Sequence, residues 1–164
     1  MTPATAPEMQ VFTRVATEVD VPVLVDLYRN FSEAQAGERG GATYLSTEAF
    51  HEPLDSHFET IVRDARRLVL LGLVDDVPVG LAVARLQEPS DTSRSAAAEV
   101  IYVDPAAREV GVGENLLAAV ADWASAHGAG GLDVQVLPGI RESKNFLEGA
   151  GFVARLLVMH RRLG

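Results

Sequence analysis

The sequence predicts a mixed α/β domain built on a single sheet, and two observations carry that reading. Two apolar runs, "RRLVLLGLVDD" and "VPVGLAVARLQ", flank Asp75-Asp76 and read as an antiparallel hairpin. Further on, "AAAEVIYVD", "GENLLAAVADWASAHG" and "GLDVQVLP" read as strand, helix and strand, one β-α-β crossover that implies a parallel pair. A hairpin region followed by a single crossover gives a mixed sheet rather than a fully alternating one.

The elements follow in order. Residues 1–8 read as a loose tail, and residues 9–164 as one domain. "MQVFTRVA" is a first strand. "TEVDVPVLVDLYRNFSEAQ" is a helix capped by Thr17 or Asp20, with Val23, Leu24, Leu27 and Phe31 on one face. "AGERGGATYLST" is glycine-rich and polar, hence a loop, and "TEAFHEPLDSHFETIVRDA" is a second helix interrupted near Pro53. After the hairpin, "EPSDTSRS" is a loop. The strand ending at Pro105 leads into the crossover helix, with Leu116, Leu117, Val120 and Trp123 inward and Gly128 just past its end. "RESKNFLEGAG" is a short helix closed by glycines, and "FVARLLVMHRRL" a last strand. No repeat or long linker interrupts this order.

Composition narrows the function classes. The chain has 164 residues, 48% of them hydrophobic, which is enough for one sizeable core. There is no cysteine, so disulfides, thiolate metal sites and cysteine nucleophiles are excluded. A net charge of −9 argues against nucleic acid as a partner, because phosphate backbones need Lys and Arg; it permits cationic partners. The start, "MTPATAPEMQ", has neither the basic nor the apolar stretch of a signal peptide. The longest apolar run, Leu68 to Val74, falls far below the roughly 20 residues of a membrane span. A soluble cytoplasmic protein is the expectation.

The stretch "VDPAAREVGVGENLL" concentrates the chemistry. An arginine and two glycines one residue apart follow a strand and open a helix. Free backbone N–H groups and the helix dipole attract an anion there, Gly111 and Gly113 leave room for it to approach, and Arg108 can add a charge-assisted contact. It is not a dinucleotide fingerprint, since Leu116 stands where a third glycine is needed, and it lacks the Gly-Lys-Ser/Thr of a P-loop. A tight strand-to-helix turn without a ligand is the alternative.

Val103-x4-Arg108-x2-Gly111-x-Gly113 resembles the signature of the GCN5-related N-acetyltransferases, and "KNFLEGAGF" is similar to that family's "FYEKxGF" ending of the next helix. The order of elements matches from residue 9 onward. The resemblance implies a GNAT-like fold, α/β of the α+β type, with a mostly antiparallel sheet, a splayed parallel pair and flanking helices. It implies acetyl-CoA as co-substrate and transfer of its acetyl group to a primary amine of a small molecule or peptide by direct attack. A dimer is common in the family. By position, Ile101, Tyr102 and Val103 would pair with the pantetheine arm, and the collar Arg108, Glu109, Val110, Gly111, Val112 and Gly113 would take the pyrophosphate. Glu114 and Asn115 follow in the first helical turn, the Glu114 carboxylate turned away. Ser143 matches the family's small residue in the next helix and is a candidate both for cofactor contact and for catalysis.

Three departures stand out. Ile140 holds the position of an Asn that would touch pantetheine. Leu147 holds the position of the proton-donating Tyr. The closing hairpin after Gly151 is cut to one strand. A free thiol has a pKa of about 8.5, so a thiolate leaves well near neutrality and the missing acid does not exclude catalysis. Tyr102 and Ser143 are the candidate donors, with strand packing the other reading for Tyr102. A catalytically silent acyl-CoA-binding sensor or interaction module is the alternative function.

Glu99 lies in the strand leading to the collar. By the strand period, residues 99, 101 and 103 share one face. The acid is a candidate general base that takes the amine's proton through water; an exposed or paired carboxylate is the other reading. His51 and His57 are spaced i, i+6, which does not fit a helical metal site, and they fall where the fold walls an acceptor pocket. His127 suits a helix C-terminus. His160 falls in the last strand.

Overall fold

The computed structural model describes residues 8–88 and 93–164. Most of the tail expected at residues 1–8, and residues 89–92 of the expected loop, lie outside the described residues. Five strands form one sheet in the order β1-β2-β3-β4-β5: Val11–Val15, Arg67–Val74, Val77–Gln87, Ser95–Val103 and Leu132–Val134. The first three pairings are antiparallel, and β4 pairs with β5 in parallel. The hairpin turns at Asp75 and Asp76, both at positive φ (47° and 67°), which matches the twist of the strands it joins.

Helices cover both faces. On one, α1 (Val21–Ala36) and α3 (Leu54–Ile61) pack through Leu24, Tyr28, Phe58 and Ile61 against Leu71, Leu81, Val83 and Val100. On the other, α4 (Val112–Ala126) packs Val112, Leu116 and Val120 onto Leu70, Ala82, Ala84 and Ala98. The expected face of the first helix holds at Leu24, Leu27 and Phe31, with Val23 half-buried. In the crossover helix Trp123 is half-buried and Ala124 takes the inward position.

The glycine-rich stretch expected as a loop instead forms α2 (Gly41–Thr47), entered from Gly40 at φ +87°. Tyr44 meets Phe31 edge-on at 6.1 Å, so tertiary burial of one aromatic overrides the poor local propensity. The expected second helix keeps only its part beyond Pro53, as α3. The strand after the crossover has three residues, and α5 (Arg141–Gly149) follows it.

The expected last strand does not form. Residues 152–164 carry no regular structure, and among the described residues β4 is the only neighbour of β5. Leu156, Leu157, Val158 and Met159 are 70–88% exposed. A strand needs a ladder partner, and this segment meets none.

Candidate active site

The parallel pair is joined only at Ala96, Ala97 and Ala98, opposite Leu132, Asp133 and Val134. From Glu99 onward β4 leaves β5 and one of its edges is open. Asp104 donates its N–H to the Val79 carbonyl at 2.8 Å, so by the two-residue period the backbone groups of Tyr102 face β3 and those of Ile101 and Val103 face the open edge. An extended arm laid along that edge meets Ile101 and Val103 on the backbone.

The collar closes the end of this gap. Asp104 accepts the Ala106 N–H at 2.9 Å and fixes the turn after the strand. Glu109 and Gly111 adopt left-handed conformations, φ 68° and 97°. A non-glycine residue held there costs about 1–2 kcal/mol, and such strain clusters at ligand clamps. Gly111 is the N-cap of α4 and no side chain caps the helix. Helical geometry leaves the N–H groups of Val112, Gly113 and Glu114 outside the ladder; Asn115 is the first to bond back, to Gly111 at 3.0 Å. These uncapped donors at a helix start fit a pyrophosphate.

A Cβ built on Gly113 would sit 3.6 Å from the Phe146 ring and 3.7 Å from Val103, ordinary contacts. The protein's own packing therefore does not demand glycine at 113, and the absence of a side chain leaves the helix start open to a ligand's approach. Gly111 needs its positive φ. The Arg108 guanidinium reaches the Val103 carbonyl at 3.2 Å and the Glu142 carboxylate at 3.3 Å, linking β4 to α5 across the gap. Val110 packs on the sheet face under α4. Glu114 is solvent-exposed, and Asn115 reaches the Val11 carbonyl at 3.5 Å rather than the collar. An open groove of about 470 Å³, lined by Val74, Val79, Ala107 and Val110 among others, flanks the collar on the β2–β3 side and not in the gap.

Glu99 sits at the vertex where β4 and β5 part. Val83 pairs with Val100 and Ala84 with Ala98, so Glu99 is the extra residue of a β-bulge. The bulge corrects the expectation that residues 99, 101 and 103 share a face. Ile101 and Val103 pack on the α4 side, whereas the Glu99 carboxylate turns to the α1–α3 side. There it bonds the Arg67 guanidinium and meets Arg85 Nε at 3.3 Å. Its carbonyl accepts the Tyr44 hydroxyl at 3.4 Å. Burial raises the Tyr44 and Tyr28 phenols above their ordinary pKa, so both stay protonated at neutral pH.

Tyr102 is buried in the core on the α1–α3 side, its ring 6.3 Å from Phe31, and burial raises its phenol too. Ser143 is half-buried on α5, three residues from Phe146, on the face that meets Gly113. Leu147 is buried. His57 stacks on Phe50 at 4.3 Å near Arg67 and Glu99; burial first, then the Arg67 charge, lower its pKa. His51 and His160 are exposed. His127 caps α4, its Nδ1 2.8 Å from the Trp123 carbonyl. The strand pattern did not single out Arg67 or Arg85; Arg85, inside the apolar β3, was the available signal, whereas Arg67 opens β2, where an arginine is ordinary.

Against known proteins, the chain matches the model of the acetyltransferase (GNAT) family over residues 26–152. The chain belongs to the GNAT acetyltransferase family. No curated protein matches it in sequence. Among solved structures it is similar to a tetramutant of the BH1408 protein from Bacillus halodurans, with TM-score 0.77 and 19% identity over 93% of this chain and 99% of that one. It is also similar to the aminoglycoside N-acetyltransferase AAC(6')-Iy in complex with CoA, with TM-score 0.70 and 20% identity over 99% of both chains. A third is a ribosomal-protein-alanine N-acetyltransferase from Brucella melitensis, with TM-score 0.68 and 20% identity over 94% of this chain and 100% of that one. At these identities the likeness is one of fold: the mixed sheet with one parallel pair and flanking helices is the GNAT fold.

Proposed function

We propose that this GNAT protein is an acetyl-CoA-dependent N-acetyltransferase acting on a primary amine by direct attack in a ternary complex. The observation that carries the reading is the collar of uncapped N–H groups at the end of an unpaired β4 edge. The collar from Arg108 to Gly113 holds the pyrophosphate, and Ile101 and Val103 hold the pantetheine arm. Four residues at about 3.3 Å each place Glu99 roughly 13 Å back along β4 from Val103, at the vertex where the thioester would lie.

The chemistry balances simply. The neutral amine nitrogen attacks the thioester carbonyl carbon, a C–N bond forms, the C–S bond breaks, and the thiolate and amine proton end as CoA thiol and amide. Strand N–H groups at the vertex polarise the carbonyl. Glu99 receives the amine's proton, directly or through water; Ser143, on the α5 face toward the collar, contacts the cofactor at its pyrophosphate end rather than the leaving sulfur. Tyr102, buried against Phe31, is the remaining donor candidate, and the thiolate leaves without an obligatory acid.

Leu147, at the family's tyrosine position, favours one second reading, a silent acyl-CoA-binding module. Thiol release measured over an amine panel, beside calorimetry with CoA, separates the two. Turnover on at least one amine is expected, and Glu99→Gln should lower it tenfold or more with CoA affinity kept. Tight CoA binding with no turnover on any amine would instead establish the module.

A further inference from the structure

The surroundings of Glu99 hold more than a base needs. Two arginines touch one carboxylate: Arg67 bonds it, and Arg85 Nε lies 3.3 Å away. The neighbouring ring, His57, has its pKa lowered. The cluster therefore carries one excess positive charge inside a chain whose net charge is −9. Arg67 Nε and His57 Nε2 are the two buried side-chain polar atoms without a partner among the described residues, and both lie in this one cluster. Buried polar groups in native proteins are nearly always paired, so each exception calls for a cause.

The cluster is open to a ligand. The side chains of Arg67, Glu99 and Arg85 are 18%, 24% and 44% exposed, a gradient from the core outward. Among the described residues the η nitrogens of Arg85 meet no acceptor. Guanidinium forks match carboxylates in a bidentate way. A lone ammonium would add to the cluster's excess positive charge, so a simple cationic amine is poorly matched to this place. A ligand bearing both charges is well matched: its carboxylate on the outer arginine, its ammonium on Glu99.

We infer that the acceptor is a zwitterionic α-amino acid, its carboxylate taken by the Arg85 guanidinium with Arg67 behind it and its amino group held at Glu99, the vertex of the β4–β5 gap. This rests on the acetyltransferase reading for the fate of the amino group, and on the arginine cluster for the class of acceptor. The Phe50, His57 and Tyr44 rings form the apolar wall beside it.

The test pairs each proteinogenic amino acid with its α-amide, following CoA release, with wild-type protein, Arg85→Gln and Arg85→Lys. The acid of at least one pair is expected to exceed its amide by tenfold or more in kcat/KM. That preference should collapse in Arg85→Gln, mainly through KM, and return in part in Arg85→Lys. Amides used as well as the acids, or a preference unchanged in Arg85→Gln, would overturn the zwitterion site while leaving an acetyltransferase. If CoA binds and neither series releases thiol, the acetyltransferase reading fails. The site then rests on melting-temperature shifts with the individual amino acids. A shift present in wild type and absent in Arg85→Gln supports it, and no shift overturns it.

Discussion

Asp20 is the one buried charged residue among those described. Its carboxylate takes two hydrogen bonds from Arg14, at 2.7 and 2.8 Å, and one from the Thr17 N–H at 2.8 Å. The Arg14 bonds, foremost, hold its pKa down to about 2. A depressed carboxylate contributes stability that is present above the unfolded value, near 4, and lost as pH falls through 2. Asp20→Asn should therefore cost about 2 kcal/mol at pH 7, and the gap to wild type should close between pH 4 and pH 2. Urea titrations at stepped pH would show it; a gap constant down to pH 2 would count against the assignment. Asp20 was legible as a cap, though not as the anchor of β1 to α1. Glu99 was legible as an out-of-place acid, but its neighbours were not, because Arg67 and Arg85 reach it only through strand pairing.

At the scale of elements, α4 shows how a helix is seated to offer its end. Gly72 and Gly80 pair across β2 and β3 beneath it. A Cβ on Gly72 would come within 2.6 Å of Val112, and one on Gly80 within 3.0 Å of Leu116. This glycine pair lets the helix start lie close on the sheet beside the β4 edge, and a glycine inside an apolar strand was its only trace in the sequence. The collar can be probed without disturbing that seat. Gly113→Ala and Gly113→Val should keep the fold, since a Cβ there makes ordinary contacts, yet lower CoA affinity in a graded way, the valine by tenfold or more. Calorimetry and thermal melts on the two variants read both quantities. Undiminished affinity in a folded Gly113→Val protein would remove the pyrophosphate from the collar.

For the whole molecule, the segment after Gly151 is the exposed apolar part. Leu156 to Met159 is apolar at both parities, so pairing as a strand would leave one apolar face uncovered on either side. A second copy of the chain, adding the same segment across the β5 edges, would cover both. Light scattering is expected to find a dimer, and Leu157→Arg with Met159→Glu a monomer; a wild-type monomer would refute the pairing. No helix among the described residues is long and apolar enough to cross a membrane. The sequence by itself determined the hairpin at Asp75-Asp76, the crossover, the collar and the family, because periodicity, turn chemistry and glycine spacing are local. Tertiary structure alone decided the bulge that turns Glu99 to the α1–α3 side, the helix at Gly41–Thr47, and the two arginines around one acid. Those depend on which strands lie side by side and on where a single aromatic finds burial, and neither is written within any one segment.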